Sequence, residues 1–123
     1  MNHNLTIAVL PSDMKKGIIN SRTTDPFALA CQRAGLVDVE VGRKTLSYAH
    51  ITHQPYRTEE GIEMMVEVRD IVTIPLPDDA QEWLNRLTYT DRFEMLRTDK
   101  KGVYIPARFT LTSPLPFPEK KAA

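Results

Sequence analysis

The chain has little cysteine and no excess of either charge. Cys31 is the one cysteine in 123 residues, so an internal disulfide is excluded and nothing marks an oxidised, secreted scaffold. Sixteen Lys and Arg residues balance sixteen Asp and Glu residues, which makes the formal net charge zero. Bulk charge therefore favours neither nonspecific nucleic-acid binding nor an acidic mimic of DNA, and leaves only a local basic patch open.

Common catalytic motifs and membrane-directed segments are missing too. The sequence contains no glycine-rich phosphate loop and no G-x-S-x-G motif. The residues before Pro11 include only about six apolar side chains and no basic leader, which is typical of neither a signal peptide nor a membrane span. We therefore expect a cytoplasmic protein with no membrane partner.

What is present is the composition of an ordinary globular domain. Hydrophobic residues make up 41% of the chain and charged residues 26%, and the length suits one domain with its own core. We expect a single α+β domain over residues 1–112. Residues 113–123 read SPLPFPEKKAA, and because prolines at alternate positions prevent strand pairing, this tail is expected to be extended or disordered.

Two helices are predicted from amphipathic stripes with clear ends. In TTDPFALACQRAG, Thr24 or Asp25 suits the N-cap, Pro26 suits the first helical position and Gly35 suits a left-handed exit. A second helix is expected after Pro77, where two aspartates favour the positive end of the dipole. The apolar stripes at i, i+3, i+4 and i+7 are Phe27, Ala30, Cys31 and Ala34, and then Ala80, Trp83, Leu84 and Leu87.

Alternating apolar and polar residues elsewhere predict half-buried strands. These runs are Leu5–Val9, Val37–Val41, Thr45–Thr52, Ile62–Leu76 and Val103–Leu111. Asp70 interrupts the fourth run, so that strand either bulges there or turns into two strands. The segment HQPYRTEEG before it is expected to be a loop or hairpin connection. The order β-α-β-β-β-α-β predicts a two-layer α+β fold, in which one mostly antiparallel sheet of about five strands is covered on one face by two helices.

Few side chains could support catalysis or hold a metal. Cys31 lies within an apolar helical stripe, which favours a packed core residue over a reactive thiol. His50 and His53 lie three apart in a strand-like segment, where they would point to opposite faces, and no carboxylate stands at a metal-motif spacing from them. At Asp70 a turn or bulge is favoured over a buried general acid or base. We therefore expect no catalytic residue, no metal, no cofactor and no enzymatic activity.

Exposed aromatic residues favour a protein-binding surface. Tyr56, in a proline-containing loop, and Phe117, in the tail, are expected to be exposed, and aromatic side chains of this kind anchor interfaces. The expected partner-binding residues are His50, His53, Tyr56, Arg57 and Phe117.

A basic patch supports a second interpretation. Lys15, Lys16 and Arg22 flank the first predicted helix, and Arg43 and Lys44 lie at a predicted hairpin tip. Such side chains can contact phosphates, although no aromatic pair resembles the base-stacking platform of an RNA-binding sheet. The alternative function is therefore binding of a nucleic acid or a nucleotide.

The layout resembles small uncharacterised proteins encoded by phages and prophages. Those proteins open with an I-x-V-x-P strand, a glycine-closed turn and an I-A-L-A-type helix. The matching segments here are Ile7–Pro11, Gly17 and Asp25–Ala30, followed by Ile74–Pro77 and the Phe109 strand. Asp25 stands where cysteine is frequent in those proteins. The resemblance implies an accessory role in a mobile element and no catalytic residues.

The expected function is that of a small noncatalytic accessory protein of phage or prophage type. It would bind a host or phage protein and act against host defence or in host takeover. Self-association into a homo-oligomer is also compatible with the sequence.

Overall fold

The chain adopts the α+β class predicted from its sequence. A computed structural model describes residues 2–19, 21–90 and 92–118, and within them all paired strands are antiparallel. The helices are α1 (Pro11–Lys16), α2 (Pro26–Arg33) and α3 (Asp78–Tyr89), with a 3₁₀ helix at Arg92–Met95. The strands are β1 (His3–Val9), β2 (Glu40–Val41), β3 (Thr45–Arg57), β4 (Glu63–Pro75), β5 (Arg97–Thr98), β6 (Tyr104–Ile105) and β7 (Ala107–Ser113). The end of the predicted tail, residues 119–123, lies outside the described residues.

Among the described residues the strands form three sheets and not the single five-stranded sheet that the alternation predicts. The sheet orders are β1-β7, β2-β3-β4 and β5-β6. Two backbone features shorten or divide the predicted strands. Asp38 has a positive φ of 54°, and only Glu40–Val41 remains of the second predicted strand. Pro106 has no N–H to donate, and it separates β6 from β7.

Two aspartates fix the N-terminal helices. Asp25 is the N-cap of α2, and its Oδ1 accepts a hydrogen bond of 2.6 Å from the Ala28 N–H. Asp13 of α1 accepts a hydrogen bond of 2.9 Å from the Leu10 N–H and forms an ion pair of 2.7 Å with Arg33 of α2. The short helix α1 is therefore held both at its own N-terminus and against α2.

The core lies where α2, α3 and β7 meet. Phe27 of α2 is fully buried, and its ring centroid lies 6.5 Å from that of Trp83 on α3 and 5.4 Å from that of Phe109 on β7. The rings of Trp83 and Phe109 are themselves 5.6 Å apart. Cys31 is also fully buried, which confirms the prediction of a core residue. No helix among the described residues is long and apolar enough to cross a bilayer.

A buried hydrogen bond links β3 to β7. The Tyr48 hydroxyl lies 2.8 Å from Ser113 Oγ, and both side chains are fully buried. Tyr48→Phe would leave the Ser113 hydroxyl short of one partner, so we expect the free energy of unfolding to fall by about 1–2 kcal/mol. Urea unfolding measures the loss, and the double variant Tyr48→Phe/Ser113→Ala should recover part of it. A single variant as stable as the wild type would contradict this role for the hydroxyl.

Candidate functional site

A long β-hairpin extends away from the core. The strands β3 and β4 pair in one continuous register along their whole length. Leu46, Tyr48 and Ile74 at its base are buried, whereas no residue from 50 to 70 is buried. We call residues 50–70 the arm. Each of its strands continues for roughly 25 Å past the buried base, at the rise of a β-strand.

Two expectations from the sequence are wrong in this hairpin. The segment beginning at His53, predicted to be a loop or connection, continues β3 as far as Arg57, and the chain reverses only at residues 58–62. Asp70 lies at neither a bulge nor a turn, because it pairs with His50 within the unbroken register. Both errors have one cause. A strand face that has left the core is solvated, so polar residues on it do not end the strand.

The tip of the arm is an ordered turn. The Thr58 N–H donates to the Ile62 carbonyl at 3.0 Å, and the Gly61 N–H donates to the Thr58 carbonyl at 2.9 Å. Gly61 has a φ of 82°, a conformation that a residue without Cβ adopts at little cost. At the first strand pair, Arg57 and Glu63 form an exposed ion pair of 3.5 Å. The two strands therefore reach the tip in register.

One side of the arm carries a row of apolar side chains, most of them exposed. Met64, Val66 and Val68 alternate along β4 on the same side as Tyr48, and Tyr56 of β3 lies directly opposite Met64. The exposed fractions of Tyr56, Met64 and Val66 are 56%, 53% and 42%. We call Tyr56, Met64, Val66 and Val68 the apolar face. A contiguous row of this kind is typical of an interaction surface.

The arm that carries this face is acidic. It has five carboxylates and two arginines, so its formal charge is −3 with histidine neutral. The carboxylates are Glu59, Glu60, Glu63, Glu67 and Asp70. One arginine braces the arm near its base, because Arg69 donates to Glu67 at 2.8 Å and to Asp38 at 2.9 Å. These hydrogen bonds, first to Glu67 and then to Asp38, raise the pKa of the Arg69 guanidinium above its ordinary value.

The structure separates the residues predicted to bind a partner. Four of them lie on the arm: His50, His53, Tyr56 and Arg57. His50 and Tyr56 share the side of the apolar face, and His53 lies on the opposite side. Phe117 was expected to be exposed, and that expectation is wrong. Its ring is half-buried and stacks on Tyr48 with centroids 5.6 Å apart, which removes apolar surface from water.

The side chains that could have formed a reactive or metal site are not gathered. No group of three or more potential metal ligands occurs among the described residues. His50 faces Asp70 across the exposed arm, while Cys31 is enclosed in the core. Burial, together with the nearby charges of Asp25 and Asp13, raises the pKa of the Cys31 thiol well above its ordinary value, so the nucleophilic thiolate is not formed at neutral pH.

A second feature is a cavity of about 560 Å³, which we call the basic cavity. It is bounded by the segment before α2, the turn between β2 and β3, and one side of α3. Arg22, Arg43 and Lys44, three of the five residues of the predicted basic patch, line it together. The other two, Lys15 and Lys16, lie on α1 and are not part of the lining.

Sequence reasoning missed the side of α3 that closes this cavity. Gln81, Leu84, Asn85 and Thr88 lie at i, i+3, i+4 and i+7 and face the cavity together. The available signal was the row of polar residues Gln81, Asn85 and Thr88 beside Leu84, which belongs to the apolar stripe of the helix. An amphipathic helix normally exposes such a row to solvent, so the pattern alone did not indicate a wall.

Asp25 lies in the lining of the basic cavity and is buried. Desolvation raises the pKa of its carboxyl from 3.8 to about 6, although hydrogen bonds from the backbone amides of Ala28 and Phe27 oppose the shift.

No family model, curated protein or solved structure matches this chain. The arm and the basic cavity are therefore the features of the structure that bear on function.

Proposed function

We propose that the protein is a small noncatalytic accessory protein that binds another protein through the apolar face of its arm. The observation that carries the proposal is the exposure of Tyr56, Met64 and Val66 side by side on a hairpin outside the core. Large apolar patches on a protein surface mark interaction sites. Tyrosine and methionine are enriched at interfaces, and the flexible methionine side chain adapts to the surface it meets.

The placement of the reactive side chains supports a noncatalytic role. Catalysis by a thiol, an imidazole or a carboxylate needs these groups within hydrogen-bond reach of one another in a site that excludes water. Here the Cys31 thiol is enclosed in the core, and His50 and Asp70 stand on the open arm. No two of the three form a hydrogen bond with each other among the contacts of the described residues.

The charge of the arm defines the chemistry of the partner. The arm has five carboxylates against two arginines, with Asp70 on the side of the apolar face and Glu59 and Glu60 at the tip. A polyanion such as DNA or RNA would be repelled by this surface. The complementary partner is a protein with an apolar groove bordered by Lys and Arg side chains, which would also accelerate association by electrostatic attraction.

The resemblance to phage and prophage proteins supplies the setting of the proposal. It rests on Ile7–Pro11, Gly17 and Asp25–Ala30. In that setting the partner is a host protein, engaged during takeover of the cell or against one of its defences.

The variant Met64→Lys/Val66→Lys tests the proposal. The full-length protein serves as bait in host lysate, and the captured protein is identified and quantified by mass spectrometry. We expect capture to weaken by about thirtyfold or more, because interface anchors contribute about 2 kcal/mol or more and the new lysines oppose a basic border. Both residues are exposed, so the thermal unfolding midpoint should stay near that of the wild type.

The matched control is Val103→Lys/Ile105→Lys. These residues are also exposed, apolar and two apart, but they lie beside the turn between β5 and β6. The control should capture the partner as well as the wild type does. Equal loss in both variants, or full capture by the arm variant, would contradict the proposal. A dimer that the arm variant disrupts, with no other protein captured, would assign the apolar face to a second copy and overturn the host partner.

A further inference from the structure

The basic cavity carries an inference that is independent of the arm. Its three cationic residues are exposed, and in the part of the chain that the structure describes none of them takes part in an ion pair. Asp25 is the one acidic residue in the described lining, and its Oδ1 is already bound to the Ala28 N–H. One carboxylate offsets at most one of the three positive charges, so the described lining keeps a net positive charge, which favours an anionic ligand.

The backbone that carries the basic wall is fixed in place. The Arg22 carbonyl accepts a hydrogen bond of 2.8 Å from the Val41 N–H, and the Lys44 carbonyl accepts one of 2.8 Å from the Leu76 N–H. Between them, the turn that presents Arg43 is closed by the Gly42 N–H, which donates to the Thr45 carbonyl at 2.8 Å. Three cations on a constrained backbone lose less entropy when they bind an anion than cations on a free loop.

The opposite wall of the basic cavity, on α3, offers apolar, amide and aromatic groups instead of cations. Leu84 offers an apolar surface, Asn85 offers an amide that can both donate and accept, and Tyr89 offers an aromatic ring at the end of the helix. Apolar and aromatic surfaces pack against the flat face of a nucleobase, and an amide reads its polar edge. The two walls together fit a ligand with a phosphate at one end and a planar heterocycle at the other.

The size of the cavity favours a small ligand over a polymer. About 560 Å³ falls within the range of small-molecule sites. A polynucleotide would need a longer row of cations, and Lys15 and Lys16 do not continue the basic wall, since they lie outside the lining. The acidic arm adds repulsion for a long polyanion.

We infer that the basic cavity is a binding site for a mononucleotide or dinucleotide. The phosphate lies against Arg22, Arg43 and Lys44, and the base lies against Leu84 and Tyr89 with Asn85 at its edge. This site is separate from the apolar face, so the protein holds a nucleotide and a protein partner on different surfaces.

Titration of the full-length protein at low salt with AMP, adenosine and ribose 5-phosphate, followed by NMR, tests the inference. AMP should bind at least about tenfold more tightly than either fragment, because only AMP reaches both walls. Arg43→Glu/Lys44→Glu should weaken AMP binding at least about tenfold. Lys100→Glu/Lys101→Glu, an exposed adjacent pair at another turn with the same change in charge, should leave it unchanged. Tyr89→Ala, at an 83% exposed residue, should weaken AMP binding without affecting ribose 5-phosphate.

Three results would overturn the inference. The first is no detectable binding of AMP at about 1 mM. The second is binding of ribose 5-phosphate as tightly as AMP, which would indicate a simple anion site. The third is an equal loss of AMP affinity in both charge-reversal variants. Met64→Lys/Val66→Lys should retain AMP binding. A failure of the basic cavity is therefore distinguishable from a failure of the arm.

Discussion

Phe27→Ala is expected to lower the free energy of unfolding by about 3–5 kcal/mol. Phe27 is fully buried, and its ring contacts Trp83 of α3 and Phe109 of β7. Truncation removes both aromatic contacts and leaves a cavity at the point where the three elements meet. Since domains of this size are stable by about 5–15 kcal/mol, the variant should lose a large part of its stability.

Urea unfolding at a fixed temperature measures this loss, and Tyr56→Ala is its matched control. Both substitutions truncate an aromatic residue, but Tyr56 lies on the exposed arm and should cost no more than about 0.5 kcal/mol. Similar losses in the two variants would show that the arm packs against the core in solution. A loss below about 1 kcal/mol at Phe27 would contradict the position of the core.

Asp25→Asn is expected to stabilise the protein by up to about 3 kcal/mol at neutral to mildly alkaline pH. Burial raises the pKa of Asp25 from 3.8 to about 6, so the folded state binds the proton more tightly than the unfolded state. The resulting stabilisation is fully present below about pH 4 and is lost as the pH rises through 6. Asparagine stays neutral and still accepts the hydrogen bond from the Ala28 N–H, since it is as good an N-cap as aspartate.

The measurement is the free energy of unfolding of both proteins between about pH 4 and pH 8. The difference between them isolates Asp25, because every other titrating group is shared. The two curves should coincide at the acid end and separate through pH 6, with the variant more stable. Parallel curves would contradict the raised pKa, and a variant less stable at pH 8 would show that the carboxylate is stabilised as an anion by the helix N-terminus.

Local signals predicted α2 and α3 well. The start of α2 at Asp25 and Pro26 and its exit at Gly35, which has a φ of 110°, follow from residue types whose backbone preferences are strong. The stripe of Phe27 and Cys31 was predicted to face the core, and it does. Cap residues and helical period act over a few residues, so a single sequence contains them.

The arm could not be predicted because a period of two does not reveal whether a face is covered. Ile74 and Met64 belong to one alternating series of β4, yet Ile74 is buried and Met64 is exposed. The alternating series indicates which side chains share a face of the strand. What lies over that face is decided by distant segments of the chain. The same limit explains Phe117, whose position against Tyr48 no local pattern indicates.

The sequence predicted a basic patch, of which three residues line the basic cavity, but it did not predict the cavity. Arg22, Arg43 and Lys44 were recognised as a basic set, but so were Lys15 and Lys16, which lie elsewhere on α1. The sequence shows which residues are cationic. It does not show which of them come together in one site of the folded chain. Convergence here depends on the backbone hydrogen bonds at Val41 and Leu76, which are long-range contacts.

Methionine methyl NMR of the full-length protein tests most directly whether binding takes place on the arm. Met64 and Met65 are exposed there, whereas Met14 and Met95 are buried in the core. When the protein captured from host lysate is added, the Met64 signal should shift or broaden while the Met14 signal keeps its position. Saturation with that protein with no change at Met64 would contradict binding through the apolar face.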